Sequence, residues 1–114
     1  MFISTTHRSE ADLQAEVYYR LKIEEINCYL EVKIPTDLYR SGNMRADIAI
    51  TSKKNDGRVL ALIEVKRPGK RIGEEWRQTQ AYRKIVAQTG VKFWHLNSFD
   101  GVTELVHKIR QIYE

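Results

Sequence analysis

A chain of 114 residues is too short for two independent cores, so a single domain is expected over 1–114. Hydrophobic residues at 42% and charged residues at 30% are ordinary for a globular protein and argue against disorder. With 19 Lys+Arg against 15 Asp+Glu, the net charge of +4 points mildly toward a polyanionic partner.

The lone cysteine, Cys28, excludes an internal disulfide and a multi-cysteine zinc site, and it fits a reducing cytoplasm. The opening MFISTTHRSEADLQ holds no apolar run long enough for a signal peptide or a membrane span. A soluble cytoplasmic protein with no membrane partner is therefore expected.

The first helix is predicted from Ser9 as N-cap to about Ile26. Glu10 and Asp12 favour its positive end, and Leu13, Val17 and Leu21 repeat at helical spacing. Cys28 to Ile34 reads as a half-buried strand, with Cys28, Leu30, Val32 and Ile34 on one face and Pro35 as the stop. After a loop over 36–43, Ala46 to Thr51 forms a second strand. Asn55-Asp56-Gly57 then signals a hairpin turn beside the solvated pair Lys53-Lys54.

Val59 to Lys66 follows as a third strand, apolar on both faces until its last three residues, which marks it as central. A basic loop, Arg67 to Arg71, leads to a second helix from Gly73 to about Gln88, closed by Gly90. Val91 to Leu96 is a fourth strand, with Phe93 and Trp94 packing on opposite faces, and Val102 to Tyr113 is a third helix. The order is α-β-β-β-α-β-α. A hairpin joins strands two and three, and a helical crossover makes strand four parallel to strand three.

The chemistry concentrates at the end of the third strand. Glu64 and Lys66 are two apart and share the face that Leu60 and Leu62 fill upstream. Two unpaired ions there cost several kcal/mol each, so these charges either emerge into solvent or line a polar site. The hairpin brings Asp47, at the start of strand two, beside them. Two carboxylates on adjacent strands form a hard oxygen pair suited to Mg²⁺ or Mn²⁺. A lysine next to them can orient a water and offset charge on a phosphate. Glu16 on the first helix is a candidate third carboxylate. The histidines His7, His95 and His107 are scattered without ligand spacing and are not expected to act.

Asp47 followed by Glu64-Val65-Lys66, with Glu64 and Lys66 seventeen and nineteen positions on, resembles the PD-(D/E)xK nuclease signature. The resemblance covers roughly residues 8–97. Gln78-Thr79-Gln80-Ala81-Tyr82 is similar to the Gln and Tyr positions that follow this motif in type I restriction nuclease domains. One departure is Ala46, which stands where the signature's proline would be. The resemblance implies a restriction-endonuclease-like three-layer core around a mixed four-stranded sheet. It implies a metal-dependent DNA endonuclease using Mg²⁺, with Mn²⁺ able to substitute. In that reading Asp47, Glu64 and the Val65 carbonyl bind metal, Lys66 positions the attacking water, Glu16 completes the acidic set and Gln80 supports the site. Gln78 competes with Gln80, since the two point about 200° apart on an ideal helix. Gln80 is preferred because it shares a face with Trp76 and Arg83. Tyr82 is expected mainly to pack, with a lesser role near the phosphate.

Arg45 precedes Asp47, and Arg67, Lys70 and Arg71 follow Lys66, so positive charge brackets the acids and suits a DNA backbone, with Arg83 alongside. Two alternatives use the same residues: a structure-selective nuclease of the Holliday-junction-resolving kind, and a nucleic-acid-binding module without catalysis. Little chain lies outside the core for base readout. Specificity is therefore expected from DNA structure, self-assembly or a partner protein. A homodimer is expected to make a double-strand cut, with the third helix's stripe of Val102, Leu105, Val106, Ile109, Ile112 and Tyr113 serving core and interface at once.

Overall fold

The computed structural model describes residues 9–35, 42–54, 56–66 and 76–113, excepting the side chains at 43, 44, 76–79 and 81. Their order is α1 (Glu10–Ile23), β1 (Cys28–Pro35), β2 (Asn43–Thr51), β3 (Val59–Val65), α2 (Trp76–Thr89), β4 (Lys92–Leu96) and α3 (Val102–Ile112). This is the α-β-β-β-α-β-α sequence expected. The strands form one mixed sheet in the order β1-β2-β3-β4, antiparallel except for the parallel β3–β4 pair.

Ser9 starts α1 by a reciprocal cap. Its hydroxyl accepts the Asp12 N–H at 3.1 Å, and the Asp12 carboxylate accepts the Ser9 N–H at 3.0 Å. The helix stops at Ile23 rather than Ile26 because Glu25 turns left-handed, at φ +59. Glu25 and Ile26 then donate back to the Lys22 and Leu21 carbonyls, each at 3.0 Å, which satisfies the orphan end. At the far end of α2, Gly90 with φ +74 plays the expected terminating role. The start predicted for α2 at Gly73 lies outside the described residues.

The sheet is sandwiched between helices. On one face α1 sets Leu13, Val17 and Leu21 beside α3, over Ile48, Ile50 and Ile63. On the other, α2 sets Tyr82 and Ile85 over Ala46, Ala49 and Leu62. Each large apolar side chain buried here contributes about 1.5–3 kcal/mol. Phe93 and Trp94 fall on opposite faces, as expected.

Two expectations about faces are corrected. Cys28, Leu30, Val32 and Ile34 do not share one: Cys28 is buried in the α1/α3 layer, Leu30 is 41% exposed, and Val32 and Ile34 join the α2 layer. The cause is Glu31, whose φ of +54 places a left-handed residue in mid-strand. Strand β2 turns with it, since Ala46 belongs to the α2 layer and Ile48 to the other. The second correction concerns Leu60. A register shift at Ile50/Thr51 puts it against the α1/α3 layer, away from Leu62.

The stripe on α3 is used entirely inside the chain. Val102, Leu105, Val106, Ile109 and Tyr113 are buried, Ile112 packs against them, and Thr103, Glu104, His107, Lys108, Arg110 and Gln111 face out. An interface through that stripe, the surface expected for a homodimer, therefore competes with the core. Among the described residues no helix is long and apolar enough to cross a membrane.

The left-handed Glu25 carries a steric cost that glycine lacks. Glu25→Gly is expected to stabilise the chain by about 1 kcal/mol, read as a higher urea midpoint with an unchanged slope. An unchanged or lower midpoint would remove this account of the helix end.

Candidate metal centre

The β2–β3 ladder ends at the Ile48↔Ile63 pair, and one further step brings Asp47 opposite Glu64. There a side chain replaces the ladder. The Asp47 carboxylate accepts the Val65 N–H at 2.7 Å, taking the place of a strand carbonyl. On the other side of β2, the β1–β2 pairing skips the Glu31–Asp47 rung, where Glu31 is left-handed. Asp47 thus stands where the sheet opens on both sides, its carboxylate held by the short Val65 bond and within hydrogen-bonding reach of Glu64.

Glu64 is 3% exposed and Lys66 6%, so neither emerges into solvent. The strand geometry that puts them on one face also pairs them: Lys66 Nζ donates to Glu64 Oε1 at 2.9 Å. The other oxygen, Oε2, accepts the Tyr82 hydroxyl at 2.7 Å. Tyr82 is itself buried, its ring stacked on Phe93 with centroids 3.8 Å apart. It packs as expected, and its hydroxyl also fixes Glu64 from α2.

Burial, and next the Glu64 charge, push the Asp47 carboxyl up to about 7, against the opposing pull of the Val65 N–H. Glu10 adds a smaller upward push. Glu16, the carboxylate expected to complete the acidic set, is instead exposed and pairs with Arg20 at 3.9 Å.

Val65 lies between the two acids. Its N–H is committed to Asp47, which leaves its carbonyl oxygen as what it can offer a cation. Among the described residues no group of three or more His, Cys, Asp or Glu side chains converges to hold a metal. Two carboxylates are nevertheless a suitable set for Mg²⁺, which keeps several waters and takes one or two carboxylates together with substrate phosphates. Asp47, crowded by a second buried negative charge, is the group a cation would relieve.

Around this centre, Arg45 is exposed, and its carbonyl accepts a second, long contact of 3.5 Å from the Tyr82 hydroxyl. Arg83 is exposed on α2, and Gln80 is half-buried. Because Tyr82 and Ile85 form the sheet-facing side of α2, Gln80 lies about 200° from Tyr82 around the helix. The side chain at position 78, its competitor, lies outside the described residues. Arg67, Lys70 and Arg71 lie outside the described residues. His95, set aside in the sequence, stands beside Glu64 in the β3–β4 register and meets Phe93 edge-on at 4.8 Å.

A carboxyl whose folded pKa lies above its ordinary value binds its proton more tightly when folded, so its contribution to stability falls as pH rises from about 4 through 7. In chelator, the wild-type chain should lose stability relative to Asp47→Asn between pH 5 and pH 8, measured by urea unfolding. Parallel curves for the two proteins would show that Asp47 is not under this strain. No family model, curated protein or solved structure matches this chain.

Proposed function

We propose that this chain is a metal-dependent DNA endonuclease of the PD-(D/E)xK kind, hydrolysing phosphodiester bonds at the Asp47–Glu64 centre. The observation that supports it most is one cluster: Asp47 in mid-β2 beside Glu64 at the end of β3, with the Lys66 ammonium 2.9 Å from Glu64. Asp47, Glu64 and the Val65 carbonyl would hold Mg²⁺ or Mn²⁺. The ion, when bound, supplies charge to polarise the phosphoryl oxygen and lowers the pKa of water.

The chain's own groups do the rest. Tyr82 holds Glu64 Oε2, so the carboxylate meets the ion in one orientation. Lys66 donates toward the attacking water and offsets negative charge building on the phosphate. Asp47 would hold the ion as a carboxylate, its proton released to solvent. Arg45, with the loop cations Arg67, Lys70 and Arg71, holds the DNA backbone.

Mn²⁺ titration by calorimetry should show binding with release of protons near pH 6, lost in Asp47→Ala. Equal binding by both proteins would remove the site. With plasmid DNA, cleavage should need Mg²⁺ or Mn²⁺ and stop in chelator. Lys66→Ala should slow turnover about 100-fold or more while changing DNA affinity little. If Lys66→Ala weakened DNA binding and spared turnover, Lys66 would be a phosphate contact and the mechanism wrong.

A further inference from the structure

A groove of about 520 Å³ runs between the C-terminal half of α2 and strand β4. Two of its lining residues touch or neighbour Glu64: the Tyr82 hydroxyl holds that carboxylate, and His95 stands beside it in the sheet. The floor is aromatic and apolar. Phe93 lies stacked on Tyr82, and Val86 and Ala87 line the groove from the helix. Val86 is 38% exposed, a large aliphatic side chain left in water on α2. Two exposed cations line the groove, Arg83 on the helix and Lys92 on the strand, and among the described residues no carboxylate does.

We propose that this groove takes one unpaired nucleotide of a single-stranded or branched DNA, its base against Phe93 and Val86 and its flanking phosphates at Arg83 and Lys92. The inference rests on the DNA-cleaving reading of the Asp47–Glu64 centre and names its substrate class. The volume falls within the range of about 300–1,000 Å³ typical of pockets for one small ligand. A flat base offers the π-face that an aromatic floor accepts, whatever the base's identity. Its phosphates supply the anions that the two cations require. A paired base is stacked inside the duplex and must first be extruded, whereas an unpaired one needs no such step. The groove therefore favours DNA that carries an unpaired nucleotide next to the bond being cut.

The test uses the full chain in chelator, which keeps the DNA intact, and measures anisotropy with a perfect duplex and the same duplex bearing one bulged nucleotide. The bulged duplex should bind about tenfold tighter, and 2-aminopurine at the bulge should lose fluorescence as it stacks. Val86→Glu, at an exposed position, should bring the bulge-to-duplex affinity ratio close to one and restore the fluorescence. Lys92→Glu should lower that ratio several-fold. A ratio near one in the wild-type chain overturns the groove, as does a ratio or quenching that Val86→Glu leaves unchanged. A dimer that Val86→Glu dissociates, without change in DNA preference, assigns the groove to a second copy and also overturns it. Cleavage of the perfect duplex with Mn²⁺ is scored separately. Its absence alongside an intact bulge preference supports the groove and counts against the nuclease reading, whereas cleavage without any preference counts against the groove alone.

Discussion

Glu64 is a carboxylate at the end of a central strand, shut away from water, and the surrounding structure is arranged to make that tolerable. One oxygen is neutralised by Lys66, two residues along the same strand, and the other is hydrogen-bonded by Tyr82, which comes from α2. Removing either partner leaves a buried charge short of compensation, a change that costs about 3–5 kcal/mol for a buried ion pair. Tyr82 therefore ties the helix to the sheet by a polar bond as well as by its ring. Ala46 and Ala49, the small residues of β2 in the same cluster, leave room for that ring to reach Glu64.

The two faces of the sheet divide the work. The α1/α3 face carries the larger apolar core and is sealed by Tyr113, whose hydroxyl accepts the Asn27 N–H at 3.1 Å. Arg110 adds a bond to the Glu24 carbonyl at 3.3 Å and an ion pair with its carboxylate at 2.8 Å, fastening α3 to the end of α1. Among the described residues the α2 face buries fewer apolar side chains than the α1/α3 face, and it holds the ionic cluster.

Much of this was legible from local rules. The Ser9 cap, the Asp56-Gly57 turn, Gly90 and the continuous apolarity of β3 each state their role within a few residues. The antiparallel hairpin then forces Asp47 beside Glu64, so the heart of the site follows from sequence spacing. What escaped depended on long-range packing. Nothing in the composition of Glu31 announces a left-handed residue, yet it divides β1 between two faces. The α3 stripe looked wide enough for two duties because a sequence does not show how much apolar surface α1 and the sheet present to it. Tyr82 looked like packing because its hydroxyl partner lies eighteen positions away on another element.

Charge balance links the site's stability to its proposed work. With Asp47 protonated, the cluster of Asp47, Glu64 and Lys66 is neutral, the form that burial favours, and this is why the Asp47 proton is held up to about 7. Ionising Asp47 without a cation leaves one net negative charge in a half-closed site, with exposed Glu10 adding to the repulsion from outside. On the proposed reading Asp47 and Glu64 would hold a divalent ion, and with Asp47 ionised the two carboxylates, Lys66 and that ion would sum to one net positive charge. A phosphodiester carries one negative charge. The carboxylates that repel one another would then form a site whose net charge complements that substrate, with Lys66, the counter-ion of Glu64, as the group proposed to donate to the phosphate.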